Sequence, residues 1–263
     1  MVRLKNQTEI GKMKAAGRVV ALTLSALEKA VRPGVSTWEL DRIAEEVIRE
    51  NGAIPSFLNY GSPPFPASIC ASLNDEVVHG IPSKTRILQN GDIISIDVGA
   101  FLNGYHGDAA RTFAVGEISE EDKKLLRVTE ECFWKGLEKA KPGNRIGDVS
   151  AAIQSHAESH GYGVVRQLVG HGIGEHLHED PDVPNYGREG HGMRIVEGLA
   201  LAVEPMINAG SFSVRMLADR WTISTSDGKK SSHYENTFVV TSNGPIITTM
   251  IDPGSEKDRS LQP

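Results

Sequence analysis

The sequence predicts an α+β fold in which helices cover one face of a curved, mainly antiparallel sheet, the whole arrangement being made twice. Three observations carry this expectation. Apolar residues recur at helical spacing in stretches that stop at Pro-Gly or Asn-Gly, an Asn-Gly pair divides two strand-like segments, and several short motifs occur twice in the same order.

Ile10, Met13, Gly17, Val20, Leu24, Leu27 and Val31 alternate steps of three and four, the stripe of a helix that starts near Thr8 and stops at Arg32-Pro33-Gly34. Ser36 then opens a second helix, with Glu39 placed to close a capping box, Leu40, Ile43, Val47 and Ile48 facing inward, and Asn51-Gly52 as its end. Between two alternating segments, Asn103-Gly104 is a two-residue hairpin signal. Ser119 with Asp122 begins a third helix, Lys141-Pro142-Gly143 answers Arg32-Pro33-Gly34, and a fourth helix ends at His160-Gly161. Leu-Glu-Lys-Ala at 137–140 echoes 27–30, which by itself is ordinary helix composition. The strand regions add weight: His79-Gly80-Ile81 matches His171-Gly172-Ile173, Gly91 with Asp97 matches Gly198 with Glu204, and Asp108 before Thr112-Phe113-Ala114-Val115 matches Glu235 before Thr237-Phe238-Val239-Val240.

Composition narrows the function classes. With 263 residues and 39% apolar content the chain can bury a substantial core, while a net charge of −6 argues against binding nucleic acid by phosphate neutralisation. Cys70 and Cys132 form no CxxC pattern and read as two reduced, buried thiols. No apolar run has signal-peptide or membrane-span character, so a cytoplasmic protein is expected.

The chemistry lies in acids on apolar strands. Asp97 sits in the run Ile93, Ile94, Ile96, and an isolated carboxylate there is too costly to persist without a partner. The Asn103-Gly104 turn pairs Leu102 with Tyr105, hence Gly99 with Asp108 and Asp97 with Ala110, so Asp97 and Asp108 are diagonal neighbours on one face with Cβ atoms roughly 7 Å apart. Gly99 would leave room opposite Asp108. Glu204 closes the run Leu199–Val203, and the repeat places Glu204 and Glu235 across from Asp97 and Asp108. Four converging acids are balanced by two divalent cations, and His171 adds an imidazole to a set suited to Mn, Fe, Co or Zn about 3.5 Å apart. On spacing alone His79 reads slightly better as a packed histidine, and His178, seven positions beyond His171, has no defined face.

IDVGAFLNGYHGD, GHGIGEHLHEDP, AVEPMI and SHYENTFVVT resemble the signature segments of the type I methionine aminopeptidases, over roughly Thr8 to Thr249. The resemblance implies the pita-bread fold and removal of the N-terminal methionine of peptides and nascent proteins ahead of a small second residue, by a metal-bridged hydroxide attacking the scissile carbonyl. It implies Asp97, Asp108, His171, Glu204 and Glu235 as ligands of two divalent ions, Glu204 as general base, and His79 and His178 as catalytic residues that contact substrate. Phe65, Cys70, Leu177 and Trp221 match the methionine pocket, Phe65 standing where tyrosine is common, and Asn74 and Ser231 match positions near a monovalent-cation site. Gly99 and Ala109 occupy places where many members carry a hydroxyl.

Glu235 follows Glu204 by 31 positions, too few for the type II insertion, so the short bacterial form is expected. The expected organisation is one catalytic domain, a monomer, of two pseudo-symmetric halves at about 8–118 and 119–250, with a polar tail at 251–263. The family's work on nascent chains makes the ribosome a partner to consider. The rivals are a binding protein that kept the fold without the chemistry, and a peptidase of other specificity.

Overall fold

In a computed structural model of the chain, residues 2–250 are described, and the tail expected at 251–263 lies outside them. The first part contains α1 (Gln7–Ala30), α2 (Thr37–Glu50), β1 (Ile54–Pro55), β2 (Ile69–Leu73), β3 (Glu76–Val78), β4 (Ile93–Leu102) and β5 (Tyr105–Ala114). The second begins again with α3 (Glu120–Lys139) and α4 (Ile146–Ser159). Its strands are β6 (Gly163–Val164), β7 (Gly170–Gly172), β8 (Glu179–Val183), β9 (Ala200–Val203), β10 (Met206–Asn208), β11 (Val214–Met216), β12 (Ile223–Thr225), β13 (Ser231–His233), β14 (Asn236–Thr241) and β15 (Gly244–Ile247).

The helices start where the sequence supplies a cap. Asn6 accepts from Thr8 and Glu9 N–H while Glu9 returns to the Asn6 N–H, and Ser36 and Glu39 form the same box at α2. Ser119 accepts from the Asp122 N–H to open α3. On α2, Leu40 and Ile48 are buried as expected, whereas Ile43 and Val47 are half-buried and Ala44 and Asp41 turn inward. Asp41 is buried because it has work there: its carboxylate accepts the Ser68 and Ile69 N–H groups at 2.7 and 3.1 Å, fixing the entry of β2.

Strands β1, β2 and β5 pair around β4, and β15-β14-β9-β7-β8 form a five-stranded sheet, with every ladder antiparallel. The β4–β5 hairpin turns at Asn103 (φ 55°) and Gly104 (φ 85°), and its register is Leu102↔Tyr105, Gly99↔Asp108 and Asp97↔Ala110. The opposite edge of β4 places Cys70 beside Asp97. Space at Gly99 serves a different neighbour from the one expected: a Cβ there would stand 2.8 Å from both Phe57 and Ser56, so the missing side chain lets the 56–57 segment pack, rather than opening a cleft at Asp108.

Helices α1 and α2 bury their apolar faces on β2 and β4 through Leu24, Leu40, Ile48, Ile94 and Ile96, while α3 and α4 cover Leu201, Val203 and Phe238 with Val128, Phe133 and Ile153. A further seam joins the two parts. Thr237 Oγ1 accepts from the Asp108 N–H and donates to the Asp108 carbonyl, Glu235 N–H donates to the Ala110 carbonyl at 3.0 Å, and Thr112 Oγ1 accepts from the His233 N–H. Arg111, half-buried over the Tyr234 ring, donates to the Glu235 carbonyl and to Asn236 Oδ1. Among the described residues no helix is long and apolar enough to cross a membrane.

Candidate active site

Chain geometry drives five polar side chains to one place. Asp97 and Asp108 come from the β4–β5 hairpin, His171 from β7, Glu204 from the residue after β9, and Glu235 from the residue before β14. All five line a single cavity of about 120 Å³ together with His79, His178, Phe65, Cys70, Leu177 and Trp221. Typical ligand pockets are about 300–1,000 Å³, so this space suits one side chain at a chain end rather than a large ligand.

His171 Nδ1 meets the Gly172 carbonyl at 2.8 Å, which assigns the proton to Nδ1 and leaves the Nε2 lone pair free. That Nε2 lies 4.0 Å from Asp108 Oδ2 and 3.8 Å from Glu204 Oε1. Ligand atoms of Asp108, His171 and Glu235 all lie within 4.8 Å of one another. Two donors bound to one ion at about 2.0–2.2 Å stand roughly 3–4 Å apart, so little movement is needed to ligate. Asp97 Oδ1, Asp108 Oδ1 and Glu235 Oε1 are buried with no hydrogen-bond donor among the described residues, an arrangement a divalent cation would satisfy.

Electrostatics agree with the geometry. Burial is the main cause that pushes Asp97 up to about 7, and burial with repulsion from the neighbouring acids holds Asp108, Glu204 and Glu235 well above the usual carboxylate range. Burial also lowers His171 to about 3 and His79 to about 4, keeping both imidazoles neutral at pH 7. An acid-rich, oxygen-rich donor set with one neutral imidazole fits a hard or borderline divalent ion.

The apolar wall is made by Phe65 and Trp221, ring centroids 5.2 Å apart and edge to face, with Cys70 and Leu177 buried alongside. His79 stands 6.0 Å from the Trp221 ring with a left-handed backbone, φ 60°. The His178 ring lies 4.2 Å from that of His171, tilted at 58° to it, and its Nδ1 pairs with the Tyr60 hydroxyl at 2.5 Å.

Comparison with known proteins resolves the family. The description "Metallopeptidase family M24" matches residues 11–242. A methionine aminopeptidase of Clostridium acetobutylicum is 58% identical over 252 residues, spanning 96% of this chain and 100% of its own. This chain belongs to the methionine aminopeptidases of family M24. Methionine aminopeptidase 1 of Bacillus subtilis is 54% identical over 95% of this chain and 100% of its own length. A crystal structure of the Thermotoga maritima methionine aminopeptidase superposes with a TM-score of 0.93 at 43% identity, covering 95% of this chain and 100% of that one. As a methionine aminopeptidase the protein is a hydrolase, a divalent-metal-binding exopeptidase with the internally duplicated pita-bread fold.

Sequence reasoning missed three residues of this methionine aminopeptidase's site. Tyr60 and Phe57 line the cavity from a loop with no periodic signal. His233 is buried with Nε2 at 3.7 Å from Glu204 Oε2 and 3.9 Å from Glu235 Oε2. Its position two residues before Glu235 was the available signal, since extended residues two apart share a face. Asn74 and Ser231 are adjacent through the Ser231 N–H and Asn74 carbonyl at 2.8 Å, while their side chains bond to Asp92 and Asn208.

Proposed function

We propose that the protein hydrolytically removes the N-terminal methionine from peptides and nascent proteins whose second residue is small. The observation that carries this reading is the meeting of five ligand-type side chains, three with orphaned buried oxygens, with an apolar wall of Phe65, Cys70, Leu177 and Trp221 inside one small cavity. Asp97, Asp108, His171, Glu204 and Glu235 would hold two divalent ions, drawn from Co, Fe, Mn or Zn. Bound there, such ions supply Lewis acidity, polarising the scissile carbonyl and making water acidic enough to deprotonate near neutral pH.

The chain's own groups do the rest. Glu204, its side chain 14% exposed at the cavity, takes a proton from water at Oε and returns it to the departing amine. A proton donated by the Tyr60 hydroxyl into His178 Nδ1 leaves Nε2–H as the donor to the substrate carbonyl oxygen as charge builds. Neutral His79 hydrogen-bonds the peptide backbone or the leaving nitrogen, and its neutrality follows from burial. The soft wall receives the thioether, and Phe65 and Trp221 exclude water from the reacting carbonyl. The catalytic unit proposed is the whole chain, built of related halves at about 8–118 and 119–250.

A chelator-stripped sample supplied with Mn, Fe or Co should release methionine from Met-Ala-Ser, with little cleavage of Leu-Ala or Gly-Pro peptides. Chelator-insensitive turnover, or a preference for Gly-Pro, would overturn the reading.

A further inference from the structure

On the outer side of the helix pair, residues that share nothing with the catalytic cavity assemble a second donor set. His156 and His160 are one helical turn apart at the end of α4, the spacing that sets two imidazoles on one helix face. Their rings lie 4.7 Å apart. Glu131 reaches across from the middle of α3, placing Oε2 2.8 Å from His156 Nε2. One donor atom from each of the three residues falls within 4.8 Å of the others, and all three are half-buried rather than free in solvent.

The second imidazole is prepared for a metal. His160 Nδ1 sits 2.9 Å from the His156 carbonyl, so its proton belongs on Nδ1 and the Nε2 lone pair is left available, the same tautomer device seen at His171. The set also lies at the C-terminal end of α4, where unpaired carbonyls favour positive charge. Below it the two helices are locked by Cys132, Phe133, Ile153 and Ala157, which give the three donors a fixed base. The other oxygen of Glu131 leans towards exposed Arg127 at 3.8 Å, a weak competitor in water.

We propose that Glu131, His156 and His160 form an additional divalent-metal site, of zinc type, that ties α3 to α4. Two imidazoles and one carboxylate with an open fourth position are a zinc donor set, and donors on a tetrahedral zinc stand about 3.3 Å apart. The present 2.8 Å contact between His156 and Glu131 therefore needs to widen by only a few tenths of an ångström. The bound ion replaces that hydrogen bond with two coordinate bonds and displaces any proton shared between them.

The test compares zinc bound per chain in wild type and in His160→Ala, both carrying an intact catalytic centre. After equilibrium dialysis at micromolar free zinc, the wild type should hold one equivalent more than His160→Ala, and a zinc-edge anomalous map should place that ion between the three side chains. Glu131→Gln, at a half-buried position of α3, is a second variant that should lose the same equivalent. Equal zinc content in all three proteins, or no anomalous peak at the helix pair, overturns the proposal. Catalytic turnover is not the readout, so failure here is distinguishable from failure of the aminopeptidase reading.

Discussion

Glu204 directly follows β9 with its carboxylate beside His171 and His233, and it is the acid proposed for proton transfer. Glu204→Gln keeps size and hydrogen bonding while removing the base, so kcat on a methionyl peptide should drop about 10²- to 10⁴-fold with circular dichroism unchanged. Near-native turnover, with metal content measured alongside, would take Glu204 out of that role. The acids also set how metal uptake depends on pH. In metal-free protein Asp97 titrates near 7 and its three neighbours lie above the normal range, so protons occupy the site at neutral pH. A divalent ion needs those carboxylates charged, so binding releases protons and affinity climbs as pH rises through about 7. Calorimetry in buffers of different ionisation enthalpy should register proton release at pH 6 that shrinks towards pH 8; a pH-independent, proton-neutral signal would contradict it. Residue-level legibility followed chemistry that is dear to bury: acids on apolar strands announce themselves, whereas Tyr60, whose role depends on a loop folding over His178, leaves no periodic trace.

Helix α1 touches the hairpin backbone to backbone. A Cβ on Gly107 of β5 would sit 2.8 Å from Gly17 Cα and N, and one on Gly17 would meet the Thr248 carbonyl at 2.2 Å. Main chain cannot swing aside as a side chain can, so Gly107→Ala should cost about 1–3 kcal/mol and lower Tm in a thermal melt, an unchanged Tm showing that α1 shifts freely. The sequence stripe of α1 had already marked Gly17 as an inward position, and the Asn103-Gly104 turn had set the β4–β5 register residue by residue, because both signals are local. What local signals do not carry is contact between distant segments: Asp41 looks like an exposed helix acid until Ser68 and Ile69 arrive, and Gly99 looks like space for Asp108 until Phe57 occupies it.

At the scale of the whole molecule, the cavity lies where β5 meets residues 233–237, with two acids contributed from each side. Metal binding should therefore stabilise the complete fold. At a free ion concentration a thousandfold above Kd the gain is about 4 kcal/mol, so chelation should lower Tm and manganese or cobalt should restore it. Identical melts with and without chelator would separate the ions from stability. The doubled arrangement of helices and strands was readable from paired motifs, but the seam itself was not, since Thr237 and Arg111 act through backbone groups of the other part. That seam also has a temporal side. Asp97 leaves the ribosome long before Glu235, which follows it by 138 positions. On the reading proposed above, a growing copy of this polypeptide lacks part of its ligand set until Glu235 has been added, and one terminated before that residue never completes it.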